Sequence, residues 1–317
     1  MQYRTLGRTG LDVSLISFGT GGPSRIGQRT HGDESRSHQI LRRALDLGIN
    51  LIDTAADYSD SEAIIGRALK DVPRDSYYLA TKFNPDPNEN DQVVSPQQMI
   101  DSCERSLQRL NTDVIDIYQF HGVVPSYYRD AVEQLYPTAE KLRDQGKIRF
   151  IGVTEYFFRD VKHQMLKQAL EDDIWDTIMV KYGILNQLAE HEIFPMAQER
   201  NVGVMNMSAV RVKLSKPSEL EKTIAQYKST GSLAEDALPS KNPLDFLVHD
   251  DVKSVAEAGY KFGIGHPAIS TLLIGTGNIN HLEANIDTVL GAPLPDEDTA
   301  NIRNLLGHIN ESEGDAG

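Results

Sequence analysis

The 317-residue chain carries 32 basic and 46 acidic side chains, a net charge of −14, with 39% hydrophobic and 25% charged residues. That is the balance of a globular protein able to bury a large core, as one big α/β domain or two ordinary ones. An acidic excess disfavours nucleic acid, whose phosphates are bound chiefly by Lys and Arg. The longest apolar runs, such as STLLIGTG, are strand-length and far short of a bilayer span, so no membrane partner is expected. MQYRTLGRTG lacks the apolar core of a secretory signal. Cys103 is the single cysteine, which excludes intramolecular disulfides and thiolate clusters and fits a reducing cytoplasm. None of the nine histidines forms a closely spaced ligand motif, so no metal is expected.

YRTLGRTGLDVSL opens the chain with a hairpin signal around Gly7 and Gly10. Strand-like runs then recur at 13–20, 50–55, 77–83, 114–121, 149–156, 176–183, 202–208 and 269–277, eight in all. Helical spacing lies between them. SRSHQILRRALDLG puts Ile40, Leu41, Ala44 and Leu45 on one face and stops at Gly48. Ser95 is a natural N-cap ahead of Pro96. Pro137 should kink or delay the helix in EQLYPTAEKLRDQGK, while 160–173, 188–201 and 278–291 complete the set. The stretch from 210 to 242 reads as a long irregular loop, the kind that often serves binding, and the acidic tail from 310 as frayed.

Eight strand–helix units with no linker or composition shift predict a single α/β domain, a (β/α)₈ barrel with an extra helix at the C-terminal end. The competing architecture is an open doubly wound sheet, but FGTGG after the first strand is no convincing dinucleotide fingerprint. In a barrel the active site forms at the C-terminal ends of the strands. There this chain places Asp53 and Tyr58 after strand two, Lys82 closing strand three and His121 closing strand four. Each alone is ordinary loop polarity; four proton-active types on adjacent strands suit proton transfer to a carbonyl oxygen. A free phenol titrates near 10 and is a poor acid at neutral pH. A nearby ammonium favours the phenolate. Lys82 can supply that charge and Asp53 can anchor it, leaving Tyr58 as general acid or base. His121 can hydrogen-bond the same oxygen.

NLIDTAADYSDSEAIIGRAL, LATKF, DIYQFH and GKIRFIGV resemble the aldo-keto reductase superfamily, and the likeness runs from RTLGRTGLDVSLISFGT through IGTGNINHLEANI, nearly the whole chain. The resemblance implies an Asp–Tyr–Lys–His tetrad, here Asp53, Tyr58, Lys82 and His121. It also implies a hairpin plugging the bottom of the barrel and an NADP or NAD cofactor bound without a Rossmann fold. Family members mostly interconvert aldehydes, ketones or sugars with their alcohols, and some are redox-linked regulatory subunits.

The cofactor contacts implied by that likeness fall on Gly19, Thr20, Thr154, Glu155, Met179, Met207, Ser208, Arg211, Gly275, Thr276, Gly277, Asn278 and Asn285. Several depart from the family pattern. Thr154-Glu155 stands where relatives hold the carboxamide with Ser-Asn, Met179 where they carry Gln, and Met207 where a flat ring often stacks. A carboxylate accepts hydrogen bonds but cannot donate, so Glu155 replaces half of an asparagine. Either Glu155 pairs with Lys181, or it faces solvent. After strand eight, IGTGNINHLEAN makes a glycine-rich turn into a helix N-terminus, an anion site. It lacks the Lys or Arg that relatives set against the 2′-phosphate, which predicts relaxed or NAD-leaning selectivity unless Arg211 or Lys213 compensates.

The leading expectation is a cytoplasmic NAD(P)-dependent oxidoreductase acting on a small carbonyl or alcohol. A nicotinamide-binding sensor with little turnover is the second reading, and a metal-dependent barrel isomerase or hydrolase the third. Tyr127, Tyr128, Phe157 and Trp175 are candidate walls of the substrate site.

Overall fold

The structure, a computed structural model, describes residues 1–22, 25–30, 33–249 and 251–311. A hairpin comes first, with β1 (Tyr3–Thr5) antiparallel to β2 (Asp12–Ser14) and Thr5 opposite Asp12. Eight parallel strands then close into a barrel: β3 (Ile16–Gly19), β4 (Leu51–Asp53), β5 (Tyr78–Phe83), β6 (Ile115–Val123), β7 (Ile148–Glu155), β8 (Thr177–Lys181), β9 (Gly203–Met207) and β10 (Thr271–Ile274), β10 pairing back onto β3. Between strands run α1 (Glu34–Asp46), α2 (Ser61–Ala68), α3 (Pro96–Leu110), α4 (Tyr128–Asp144), α5 (Gln164–Asp172) and α6 (Ile193–Glu199). Three helices, α7 (Arg211–Ser215), α8 (Pro217–Ser229) and α9 (Val255–Gly265), separate β9 from β10, and α10 (Ile279–Leu290) and α11 (Asp296–Leu306) follow. The barrel and its extra C-terminal helix are those expected. Among the described residues no helix is long and apolar enough to cross a membrane.

Local chemistry explains several boundaries. Ser95 caps α3 in a full capping box with Gln98, and Gly48 takes a left-handed φ of 89° just past α1. The run 13–20 is two strands rather than one. The chain turns at Leu15, where Ser14 Oγ donates to the Ile16 carbonyl and the Asn50 side chain takes the Ser14 N–H. α4 starts at Tyr128, well before Pro137, and continues through it; its apolar face of Ala131, Leu135, Ala139 and Leu142 is buried and outweighs the one lost hydrogen bond. The segment 210–242 is a correction. It holds α7 and α8, the latter started by Pro217 and packed through Leu220, Ile224 and Tyr227. The sparse apolar stripe among Lys and Glu hid that helix. Of the tail, residues from 312 lie outside the described set, and Glu311 accepts a hydrogen bond from Thr230.

Strand residues alternate between two faces, and the two faces here build two cores. Outward residues such as Ile52, Leu79, Tyr118, Ile151, Ile178 and Val204 pack under the helices. Inward ones, Leu51, Ala80, Ile117, Met179 and Met205, meet Leu6, Leu11 and Val13 of the hairpin, which plugs the lower end. The plug fits only because two glycines face each other. A Cβ on Gly7, itself at φ 50°, would lie 2.2 Å from the Gly203 nitrogen, and one on Gly203 would meet Leu6 at 2.7 Å. Gly203→Val should therefore destabilise the protein by about 1–3 kcal/mol through overpacking; an unchanged urea midpoint would contradict this account of the plug.

Candidate active site

Continuing the inward rows upward leads from the apolar plug to polar side chains at the strands' C-terminal ends. Asp53 follows Leu51 on β4, Lys82 follows Ala80 on β5, and Gln119 and His121 follow Ile117 on β6. The register sets Asp53 beside Ala80 and Lys82 beside Gln119. Lys82 is buried and its Nζ donates to Asp53 Oδ2 and to the Thr54 carbonyl, each at 2.7 Å. Gln119 Nε2 donates to the other carboxylate oxygen of Asp53 at 3.3 Å. Burial works against the lysine charge, but Asp53, Tyr58 and Asp57 outweigh it and raise the Lys82 pKa above the ordinary lysine value. The ammonium is thus fixed and permanent at neutral pH.

Tyr58 comes over this ammonium from the loop after β4. Tyr58 N–H bonds the Ala55 carbonyl, and Ser59 at φ 53° turns the chain into α2. The Lys82 Nζ lies 5.1 Å from the centre of the Tyr58 ring. Tyr58 Oη and His121 Nε2 are 3.5 Å apart, their rings edge to face at 78°. Gly21, just beyond β3, packs flat against the phenol, since a Cβ there would come within 2.6 Å of the ring. All four residues expected to act on the proton therefore converge. Sequence reasoning missed Gln119, although it sits two residues before His121 on the same inward row. It also missed Asp57, whose Oδ2 is 3.2 Å from His121 Nδ1.

Beside His121 opens a cleft of about 180 Å³ lined by Asp57, Asn84, Asp86, Glu89, Gly122, Tyr127, Tyr156 and Arg159. Of the four aromatic walls proposed, Tyr127 is there, its hydroxyl bonded to the Gly122 carbonyl. Tyr128 and Trp175 belong to the outer core, joined by a hydrogen bond of 3.1 Å. Phe157 is buried beneath the Lys181 ammonium, 4.7 Å from it. Tyr156, adjacent in sequence, was not anticipated as a wall.

The residues set against the cofactor divide into three groups. At the rim of β10, Gly275 presses on the end of β3, where a Cβ would lie 2.8 Å from the Gly19 carbonyl oxygen. Thr276 takes the Asn278 N–H, Asn278 caps α10 through the Asn280 N–H, and Gly277 completes the turn; Asn285 reaches Tyr260 at 3.5 Å. Around β8 and β9, Lys181, Gly183, Asn186, Ser208 and Lys213 line a shallow cleft, with Arg211 opening α7 and Met207 half-buried beside Lys181. Inside, Thr20 is buried with its N–H and hydroxyl on the Asp53 carbonyl, Thr154 takes the Gly122 N–H, and Met179 packs with the plug.

Glu155 does not face solvent. As the residue after inward Thr154 it turns to the outer side, fully buried, and accepts from the Lys181 backbone N–H at 2.7 Å and the His163 ring at 2.6 Å. Burial opposes a charge on His163, yet Glu155, with Asp160 adding to it, outweighs that and raises the His163 pKa above the usual histidine value. Among the described residues no group of three or more His, Cys, Asp or Glu is arranged to hold a metal ion.

A closed barrel carrying this constellation at its mouth defines an oxidoreductase of the aldo-keto reductase type. Residues 15–306 match the aldo/keto reductase family model, and the chain belongs to that family. It is 28% identical to an L-galactose dehydrogenase of Arabidopsis thaliana over 91% of this chain and 88% of that protein. It is 33% identical to an NADH-specific methylglyoxal reductase of Escherichia coli over 64% and 66%. The holo form of aldo-keto reductase AKR11C1 from Bacillus halodurans superposes with a TM-score of 0.74 at 26% identity, covering 99% of both chains.

A raised histidine pKa adds stability that is complete below the unfolded value near 6.5 and is lost as pH rises through the folded value. Urea unfolding should show stability falling from about pH 6.5 upward, with that fall reduced in His163→Asn. An identical fall in the variant would assign it to other groups.

Proposed function

We propose that this protein interconverts the carbonyl of an aldehyde, ketone or sugar with the corresponding alcohol, using NAD or NADP, with Tyr58 giving the proton in reduction and taking it in oxidation. The observation that carries the reading is the pair Tyr58 Oη and His121 Nε2 at 3.5 Å, with Lys82 held behind the phenol. One oxygen about 3 Å from both atoms completes a triangle with them, the placement a reacting carbonyl oxygen needs. The Lys82 ammonium favours the phenolate that Tyr58 becomes when its proton leaves, and Asp53 with Gln119 keeps that ammonium from swinging away. Asp86, bonded to the N–H groups of Asn90 and Asp91, shapes the cleft in which the rest of the substrate would lie.

A nicotinamide cofactor, when bound, supplies the hydride in reduction and receives it in oxidation. The donor set at the rim fits such a group. In a chain of charge −14, Lys181 and Lys213 line the cleft beside Ser208, and Arg211 stands three residues on at the start of α7, so cations and a hydroxyl lie in one region for an anionic diphosphate. The turn Gly275–Gly277 and Asn278, at the head of α10, suits the adenosine end. Residues 275–285 contain no Lys or Arg, so the 2′-phosphate of NADP gains no charge-assisted bond there, a loss of about 1.5–3 kcal/mol. This supports NAD as the better partner. The alternative of a sensor with little turnover draws on Glu155 and Met179, the first already engaged by His163 and the second buried in the plug.

Tyr58→Phe removes one proton and little else, so it should lower kcat at least a thousandfold while cofactor affinity stays within about threefold. Full activity in that variant would refute the role. Fluorescence titration should show NADH binding at least as tightly as NADPH; a tenfold preference for NADPH would reverse the cofactor reading. Rapid mixing of bound NADH with a panel of aldehydes separates enzyme from sensor, since a sensor yields no single-turnover oxidation.

A further inference from the structure

Charge is divided across the mouth of the barrel. On the side of β8 and β9, Lys181 and Lys213 line the shallow cleft beside Ser208, and no described carboxylate lines it with them. On the opposite side, the larger cleft beside His121 carries Asp57, Asp86 and Glu89 against one arginine, Arg159. That guanidinium is engaged by Asp91 at 2.7 Å, a pair with no net charge. Asp57 Oδ2 stands 3.2 Å from the His121 ring, so a charge on the histidine would cancel one carboxylate and leave two. Lys82, on the floor of the mouth, is already matched by Asp53. Whichever charge the His121 ring carries, this cleft keeps a negative excess.

We propose that the cleft beside His121 excludes anions, and that the substrate is an uncharged or cationic carbonyl compound bearing hydroxyl or ammonium groups, without phosphate or carboxylate. Like charges repel more strongly in a cleft with low-dielectric walls than in open water. A phosphate or carboxylate entering here meets Asp86 and Glu89, and the arginine beside them is already taken by Asp91. Asp86 cannot swing aside, because the N–H groups of Asn90 and Asp91 hold its carboxylate in the wall. Hydrogen bonding points the same way. Carboxylates accept without donating, and Tyr127 donates its hydroxyl proton to the Gly122 carbonyl, which leaves its oxygen an acceptor. A wall rich in acceptors matches a ligand that brings its own O–H or N–H donors.

The same division sorts the two ligands of the reaction. An anionic cofactor is drawn to the lysines near β8 and β9 and repelled from the carboxylates after β4 and β5. Neither ligand then competes for the other's place. The inference rests on the reading of Tyr58 and His121 as the groups that meet the carbonyl oxygen, since that reading makes the adjacent cleft the substrate site.

Two aldehydes of similar size and opposite charge character test it: succinic semialdehyde, an anion, and its uncharged methyl ester. With NADH at low ionic strength, kcat/KM should be at least about tenfold higher for the ester, the effect of like charges at close range. Salt at about 1 M, where the Debye length is about 3 Å, should narrow that ratio. Glu89→Gln and Asp57→Asn should each narrow it as well. Equal rates, or a preference for the anion, overturn the proposal. So does a gap that neither salt nor substitution alters, because size alone would produce it.

A second readout needs no turnover. Paramagnetic relaxation of backbone amide protons in the full-length protein, by cationic aminomethyl-proxyl and anionic carboxy-proxyl, reports the local potential. The ratio of cationic to anionic relaxation should be higher at Gly122 and Tyr156 than at Ser208 and Ala209, on the two sides of the mouth. An equal or reversed ratio removes the charge division and the proposal with it. Should no carbonyl or alcohol be turned over at all, the enzymatic reading fails, while the relaxation ratio still decides whether the cleft repels anions.

Discussion

The ion pair of Lys82 and Asp53 is the constraint around which the mouth of the barrel is arranged. Both side chains are buried, and moving each charge out of water costs several kcal/mol. Their attraction at 2.7 Å offsets that only if the remaining donors and lone pairs find partners. Two such partners are present: the Thr54 carbonyl takes a second N–H of the lysine, and Gln119 serves the second carboxylate oxygen. The strands bring these groups together because β4, β5 and β6 are adjacent: the register sets Lys82 beside Gln119 and one inward step beyond Ala80, the partner of Asp53, within reach of its carboxylate. Displace β4 or β5 and a bare charge is left in the wall.

From that pair outward the site grades from rigid to adaptable. Lys82, Asp53 and Gln119 project from strands; Tyr58 and Asp57 stand on a short turn; the cleft beyond His121 is built from longer loops after β5 and β7. The buried ion pair is thus held by the sheet, while the phenol and the cleft rest on the connections, the parts of a barrel that vary most readily. Glu155 follows the same logic on the outer side. It ties the ends of β7 and β8 through the Lys181 N–H and uses His163 to balance its charge.

The barrel was legible because its strands are apolar runs separated by amphipathic helices, and the convergence of Asp53, Tyr58, Lys82 and His121 because they fall at or just beyond consecutive strand ends. What escaped the sequence depended on which way a side chain turns. Glu155 and Thr154 are neighbours, yet one faces outward and the other inward, and only the phase of β7 settles which. His163 could not be linked to Glu155 without the left-handed backbone at His163 that aims its ring back at the strand. Asp57 went unremarked because its contact with His121 joins the loop after β4 to β6, with β5 between them. α8 was hidden by a thin apolar stripe, while the period-two rows of β6 already held Gln119 in plain view.

The hairpin that fills the lower end has one more effect. With Leu6, Leu11 and Val13 stoppering the far side, the barrel is a vessel with one opening. Whatever reaches the buried lysine, be it water, proton or reactant, enters and departs across the same rim. A molecule seated at that rim therefore stands between the lysine and solvent.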